Sequence, residues 1–197
     1  MSSKQTHVNV KRYAMVVDLR RCIGCHACSA ACKSENDVPL GVWRTWVKDF
    51  EKGTYPKVRR DFLPLFCNNC DAPPCVPVCP VGATRKGEDG IVIINPHKCI
   101  GCRYCMAACP YGMRHLHPIN NVVEKCHWCL HRVKAGLAPA CVDVCPTQAL
   151  HFGALHNPTD RVNRMLIDNP VQTLKPELGT SPHVFYIGLD VRLVEGE

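Results

Sequence analysis

Sixteen cysteines arranged in four groups constrain this chain more than any other feature of its sequence. Each group has two cysteines three positions apart, a third cysteine further on, and a fourth that follows the third by four positions. The groups are, in order, Cys22, Cys25, Cys28 and Cys32; Cys67, Cys70, Cys75 and Cys79; Cys99, Cys102, Cys105 and Cys109; and Cys126, Cys129, Cys141 and Cys145. Such repetition indicates four versions of one kind of site.

The spacing C-x2-C-x2-C-x3-C of groups one and three is the one found in bacterial ferredoxins. A [4Fe–4S] cubane needs four thiolates around one centre, and a tight loop can supply three of them. In two-cluster ferredoxins the fourth cysteine of each run binds the other cluster. Gly24 and Gly101 stand between the first two cysteines, where a tight turn favours a positive φ. The sequence therefore predicts four [4Fe–4S] clusters, with Ile23 and Ile100 shielding two of them from water.

Disulfides and zinc are the alternative interpretations of so many cysteines. Disulfide scaffolds belong mostly to short secreted chains. The start of this chain, residues 1–12, is polar, and the first apolar run, residues 13–17, is too short for a signal peptide. Zinc sites do use paired C-x2-C units, but the middle cysteine of C-x2-C-x2-C would be crowded around one zinc ion. Iron content and a brown colour would exclude zinc.

Charge and motif content narrow the function further. The formal charge of +7 suggests nucleic acid, but sixteen thiolates and four cluster cores together contribute about −8. The total then falls to about −1, so the main support for nucleic-acid binding is lost. No apolar run reaches the ~20 residues of a membrane span. No catalytic triad, phosphate loop or nicotinamide motif occurs, so we expect this chain to have no enzyme activity on its own.

The segments between the groups suggest how they pair. Residues 80–98, between groups two and three, predict a short helix at 81–83, a turn at 89–90 and a strand at 91–94. Groups two and three would then form one two-cluster ferredoxin unit. A strand at 13–17 and another at 149–153 would pair and join groups one and four into a second unit. The alternative pairs group one with two and group three with four.

Several segments resemble a known family over almost the whole chain. They are residues 12–18 (RYAMVVD), 32–36 (CKSEN), 67–75 (CNNCDAPPC), 139–146 (PACVDVCP), 174–180 (LKPELGT) and 184–187 (VFYI). These residues resemble the four-cluster ferredoxin-like subunit of the complex iron–sulfur molybdoenzymes. Members serve dimethyl sulfoxide, polysulfide, thiosulfate, tetrathionate and respiratory arsenate reductases, and the tail is similar to the branch that contains all but the first of these. Relatives with a three-iron cluster carry tryptophan at Cys102, so the resemblance implies four cubanes.

The resemblance favours the nested pairing and an α+β fold of two bacterial-type ferredoxin-like units with loop insertions and a C-terminal extension. One unit would comprise residues 1–66, with an insertion at 33–66, together with residues 118–197. The other would comprise residues 67–117. The implied ligand sets are Cys22, Cys25, Cys28 and Cys145; Cys126, Cys129, Cys141 and Cys32; Cys67, Cys70, Cys75 and Cys109; and Cys99, Cys102, Cys105 and Cys79. Folding should then depend on cluster assembly.

The resemblance also implies a place in a hetero-oligomer. In the family this subunit relays single electrons between a molybdopterin-containing catalytic subunit and an integral membrane subunit that reacts with quinones. It lies peripherally on the membrane, more often on the periplasmic face through export with its catalytic partner, and in some members on the cytoplasmic face. A freely diffusing polyferredoxin is the alternative. The insertion at 33–66 and the long tail argue against it, because a minimal carrier needs neither.

The remaining expectations concern packing and the charges near the cysteines. Trp43, Trp46 and Phe50 are predicted to be packing residues, with a partner-docking face as the alternative, and Trp128 is predicted to shield a cluster. A helix is predicted over 157–168, capped by Asn157 and ended at Asn169. The basic side chains beside the cysteines could raise a potential, dock an acidic partner or lie on a solvated face. The histidines could tune a potential, carry protons or be ordinary side chains at the surface or behind the ligands. These basic side chains and histidines are Arg103, Lys125, Arg132, Lys134, His127, His131 and His151.

Overall fold

The computed structural model describes residues 12–190. The predicted polar start of the chain and the outer ends of the 1–66 and 118–197 unit lie partly outside this range. The helices are α1 (Ala27–Glu35), α2 (Tyr104–Ala107), α3 (Leu130–Lys134), α4 (Ala140–Asp143) and α5 (Arg161–Asp168), with a 3-10 turn at Pro176–Leu178. The strands are β1 (Tyr13–Asp18), β2 (Trp46–Thr54), β3 (Lys57–Leu65), β4 (Thr84–Lys86), β5 (Val92–Ile94), β6 (Arg114–Leu116), β7 (Val123–Lys125), β8 (Leu150–Ala154), β9 (Val171–Gln172) and β10 (Val184–Ile187). None of the described helices combines the length and apolar character that crossing a membrane demands.

The central sheet has the strand order β8-β1-β10-β9. Strand β1 runs antiparallel to β8, with Met15 opposite Phe152, and parallel to β10, with Met15 opposite Val184. The predicted pairing of 13–17 with 149–153 is therefore confirmed. The second neighbour of β1, strand β10, was not predicted from the sequence.

Strand β1 is apolar on both faces because both faces are covered. Met15 and Val17 belong to the main core, whereas Ala14 and Val16 pack with Val162 of α5 on the other face. These four side chains of β1 have no exposed surface. The sheet thus separates the cysteine-rich part of the chain from α5.

The segment 33–66 contains a long antiparallel hairpin made of β2 and β3. Trp46 and Phe50 of β2 pack against the main core, as predicted. The prediction was wrong for Trp43, which is 47% exposed. Its ring lies 4.2 Å from Nζ of Lys33, a cation–π contact at the surface.

Two smaller hairpins, β4–β5 and β6–β7, follow cysteine groups two and three. The short helix predicted at 81–83 is absent, and a turn leads into β4 instead. The turn forms because Gly82 adopts a φ of +60° and the Ala83 N–H donates to Sγ of Cys79 at 3.2 Å. The sulfur takes the N–H that a helix would have directed to a carbonyl.

The predicted helix at 157–168 begins four residues later than expected, at Arg161. The Asp160 carboxylate caps it by accepting the Val162 N–H at 2.9 Å, and also accepts the Ala154 N–H of β8 at 2.9 Å. Asn157 instead accepts the Thr159 N–H within the preceding turn. The predicted end before Asn169 is confirmed.

Replacing Asp160 with alanine is expected to destabilise α5 and its junction with β8 by about 0.5–2 kcal/mol, the usual cost of a lost helix cap. Amide hydrogen exchange of residues 161–168 measures this local opening. Asp168→Ala is the control, because it removes the same side chain from the exposed end of α5. Equal exchange in the two variants would contradict the capping role.

Candidate metal centres

Three cysteines of group one meet the last cysteine of group four. Cys22, Cys25, Cys28 and Cys145 line one cavity together. Helix α1 presents Cys28 from its first turn, and Cys145 follows the end of α4. The strand pair β1–β8 brings the two ends together, because β1 leads into group one and β8 begins shortly after Cys145.

Groups two and three exchange their last cysteines in the same way. One cavity is lined by Cys67, Cys70, Cys75 and Cys109, and another by Cys79, Cys99, Cys102 and Cys105. The space not occupied by protein atoms at the three cavities, including the open solvent at their mouths, is about 340, 350 and 280 Å³. Their similar sizes and four-sulfur linings fit occupants of one kind.

The remaining four cysteines, Cys32, Cys126, Cys129 and Cys141, are all buried. Nδ2 of Asn36 lies 3.8 Å from Sγ of Cys32 and 3.7 Å from Sγ of Cys129, so these two sulfurs flank one amide. Burial raises the pKa of Cys141, whose electrostatic neighbours are first Cys126, Cys129 and Cys32, and then Cys28 of the first cavity. Helix α1 carries both Cys28 and Cys32, one turn apart, and so connects this set to the first cavity.

The residue before the second cysteine has a positive φ in every group. The angles are +66° for Gly24, +42° for Asn69, +69° for Gly101 and +54° for Trp128. This turn was predicted from the sequence at the two glycines. Trp128 is a costly residue in that conformation. Its burial at 1% exposure and its edge-to-face contact with Phe152 at 5.4 Å hold it there.

Replacing Gly101 with alanine is expected to disrupt the loop of group three, because its Cβ would lie 2.3 Å from the backbone oxygen of Asn121. Gly112→Ala is the matched control, since Gly112 has a φ of +63° and nothing within 4 Å of such a Cβ. We expect Gly101→Ala to cost about 1–3 kcal/mol more than the control. Iron bound per chain after mild heating measures the difference, and equal losses would contradict the clash.

Backbone N–H groups point at several of the sulfurs. The Ala83 N–H donates to Cys79 and the Ala149 N–H to Cys145, both at 3.2 Å. The Val123 N–H donates to Cys99 and the Trp128 N–H to Cys126, both at 3.4 Å. Such hydrogen bonds favour negative charge on sulfur and suit thiolate ligands.

Burial sets the chemistry of the cysteines. Burial raises the pKa of the Cys28, Cys70 and Cys126 thiols to about 11, so a positive group must bind before they act as thiolates. Within residues 12–190 no Cys, His, Asp and Glu side chains form a group of three that could hold one metal ion. Four thiolates around a cavity fit a [4Fe–4S] cluster, because each of its four irons binds one cysteine sulfur.

Two of the sixteen cysteines are exposed, Cys25 and Cys102, in the first and third groups. Ile23 and Ile100 line the same cavities but are 56% and 65% exposed. They therefore shield these cavities less than predicted. These two cavities therefore open toward solvent. By contrast, all four cysteines of the set around Asn36 are buried.

The basic residues predicted beside the cysteines differ in their surroundings. Lys125 is buried, and its Nζ donates to Oδ1 of Asn69 at 3.1 Å and to the Cys126 carbonyl at 2.8 Å. Arg132 pairs with Glu35 at 3.2 Å and with Asp143. Arg103 and Lys134 are exposed. Only Lys125 of these four is both charged and buried.

The three predicted histidines also differ in their surroundings. Burial, with the nearby charges of Arg44 and Lys125, lowers the pKa of His127 to about 4. Burial also lowers the pKa of His151. His131 lies near the surface, with Nε2 2.6 Å from the Glu35 carboxylate. His127 is therefore a half-buried neutral side chain, His151 is a buried one, and His131 is a surface partner of Glu35.

Arg114 was not among the residues predicted from the sequence, yet its Nη2 donates to Sγ of Cys75 at 2.8 Å. A signal was available in the sequence. No Asp or Glu occurs between Asp89 and Glu124, although Lys98, Arg103 and Arg114 lie in that stretch. Basic residues among cysteines without acidic neighbours indicate a negative group that is not a side chain.

The chain is similar to known proteins over most of its length. The family described as 4Fe-4S dicluster domain matches residues 58–155, and the family described as 4Fe-4S binding domain matches residues 20–39. The chain is similar to a tetrathionate reductase subunit of Salmonella typhimurium, at 48% identity over 91% of this chain and 73% of that protein. It is similar to protein NrfC of Escherichia coli, at 43% identity over 94% and 84% of the two chains. A polysulfide reductase chain of Wolinella succinogenes is 42% identical over 90% of this chain and 94% of its own length.

Proposed function

We propose a function for this chain from one established premise: the protein belongs to the family of 4Fe-4S dicluster iron–sulfur subunits of respiratory reductases. The chain relays single electrons as a subunit of an oxidoreductase complex rather than as an enzyme by itself. The observation that carries this proposal is the exchange of cysteines between groups, which surrounds each of three cavities with four sulfurs. When bound, [4Fe–4S] clusters accept and release one electron at a time.

The proposed ligand sets number four. They are Cys22, Cys25, Cys28 and Cys145; Cys32, Cys126, Cys129 and Cys141; Cys67, Cys70, Cys75 and Cys109; and Cys79, Cys99, Cys102 and Cys105. The chain would accordingly form two nested units, residues 1–66 with 118–197, and residues 67–117. The antiparallel pair β1–β8, which joins the segments before group one and after group four, supports this organisation.

Contacts between the sets support one linear order. Cys28 and Cys32 share α1 and connect the first two sets. Cys67 is an electrostatic neighbour of Cys126, which connects the second set to the third. Arg114 lies near both Cys75 and Cys105, which connects the third set to the fourth. The two outer sets each contain an exposed cysteine, as electron entry and exit require.

The partners we propose are a molybdopterin-containing catalytic subunit and an integral membrane subunit that reacts with quinones. The chain would lie between them in a hetero-oligomer, peripheral on the membrane, on the periplasmic face. The relatives that support this are named as components of a tetrathionate reductase and of a polysulfide reductase. The same likeness supports a substrate among oxidised sulfur compounds, and similarity to a chain named as an arsenate respiratory reductase iron-sulfur subunit supports arsenate.

Purification of the tagged chain from anaerobic membranes in mild detergent tests the proposal. We expect it to retain molybdenum and a membrane subunit, and quinol to reduce tetrathionate, polysulfide or arsenate through the complex. Isolation of an iron–sulfur protein without either partner, active with a soluble enzyme, would favour a freely diffusing polyferredoxin. Isolation of a zinc protein would refute electron transfer altogether.

A further inference from the structure

Arg114 is buried at the cavity lined by Cys67, Cys70, Cys75 and Cys109. Its side chain is 6% exposed and belongs to β6. Nη2 donates to Sγ of Cys75 at 2.8 Å, and Nη1 donates to Oγ1 of Thr84 at 3.4 Å. A charged donor therefore contacts one of the four sulfurs directly.

No carboxylate neutralises Arg114 in the part of the chain that the structure describes. None of the ion pairs formed by residues 12–190 includes it. Arg44, the basic side chain near Cys32, pairs with Glu124 at 2.7 Å. Lys125 is buried too and donates to neutral oxygens of Asn69 and Cys126. The cavity at Cys75 thus has uncompensated positive charge beside it.

The other cysteines have weaker donors. Among the described residues, Cys32 and Cys129 face the neutral amide of Asn36. The donors to Cys79, Cys99, Cys126 and Cys145 are backbone N–H groups or a hydroxyl. Within residues 12–190, Cys75 is the one whose sulfur accepts a hydrogen bond from a charged side chain.

A buried cation without a partner is costly, since desolvation is not repaid. A negative group held by the four cysteines would offset the cost of burying Arg114. Each electron added to such a group makes it more negative, and at short range in a low dielectric the nearby guanidinium stabilises that state. Hydrogen bonds to cluster sulfurs act in the same direction.

We propose that Arg114 makes the cluster held by Cys67, Cys70, Cys75 and Cys109 the easiest of the four to reduce. This inference rests on the proposed function, because it requires a cluster at each set of cysteines. This site accepts one electron from a neighbouring site, and the neighbouring site is thereby oxidised by one electron. An electron entering at either end therefore resides longest at this third position of the series.

Arg114→Gln in the full chain, purified anaerobically, tests the proposal by redox titration followed by low-temperature EPR. We expect the highest of the four midpoint potentials to fall by at least about 59 mV. For one electron this shift corresponds to a tenfold change in equilibrium constant. The other three should shift by less. Cys75→Ser identifies the cluster, because it should alter the same signal. Arg85→Gln, an exposed change in β4, is the matched control and should shift none.

Three results would overturn the proposal: unchanged potentials in Arg114→Gln, an equal shift of all four potentials, or the same shift in Arg85→Gln. If Arg114→Gln fails to assemble, Arg114→Lys replaces it. Arg114→Lys keeps the positive charge but loses the planar guanidinium with its several N–H donors. It should therefore lower the same potential by less than the shift that corresponds to a tenfold change in equilibrium constant. If Arg114→Lys then gives no shift that is confined to that signal, the proposal is overturned. Iron and sulfide content of the unaltered chain shows separately whether the proposed clusters exist.

Discussion

Removal of iron by a chelator is expected to unfold the middle of the chain, residues 67–145, before the rest. Helices α2, α3 and α4 have four or five residues and strands β4 to β7 have three each. Elements this short have little stability of their own. Buried cysteines stand where a larger core would have apolar side chains, so the clusters must hold these elements together.

Amide hydrogen exchange measures this unfolding. We expect protection in β4 to β7 to fall by about 100-fold or more, equivalent to about 2.7 kcal/mol. The sheet of β8, β1, β10 and β9 should lose less, because its own apolar residues and α5 cover it. Adding ferrous iron and sulfide under reducing conditions should restore protection. An iron-free chain that exchanges like the loaded one would refute the structural role of the clusters.

Replacing Cys141 with alanine is expected to abolish electron passage between the two ends of the chain. Cys141 is buried in the second set of the series, with Cys32, Cys126 and Cys129. Loss of one thiolate leaves an iron without its ligand, and no described cysteine lies spare to replace it. The series is then interrupted between the first and third sets.

The measurement is reduction of the signals in the assembled complex by quinol, compared with reduction by the catalytic partner's substrate couple. In Cys141→Ala each donor should reduce only the clusters on its own side of the gap. Val144→Ala, an exposed change at the end of α4, is the control and should leave passage intact. Full reduction of the remaining clusters from one end in Cys141→Ala would contradict the proposed order.

The four cysteine groups could be predicted from the sequence because ligand spacing is local. Their assignment to the sets that line the cavities came from the β1–β8 pairing, which follows from two apolar runs, together with the family resemblance. As cluster ligands these sets remain a prediction. Strand β10 was not predicted beside β1, since a parallel pairing between residues 15 and 184 has no local signal. The start of α5 was misplaced because Asn157 and Asp160 are both good caps. The structure alone shows that Asp160 also bonds β8.

Two further features arise from packing around the sulfurs. Asn69 and Trp128 adopt the turn that glycine predicts at the equivalent positions of the other groups. Propensity alone argues against a tryptophan there, and burial against Phe152 overrides it. Arg114 was missed because its role depends on a contact with Cys75, 39 positions away along the chain.

Iron and acid-labile sulfide per chain, with low-temperature EPR after stepwise reduction, test the central claim most directly. Four cubanes on sixteen cysteines predict about 16 irons and about 16 sulfides. The EPR signals of neighbouring clusters should then interact, as a series within one small chain requires. About four zinc ions per chain, with no sulfide and no EPR signal, would contradict the account.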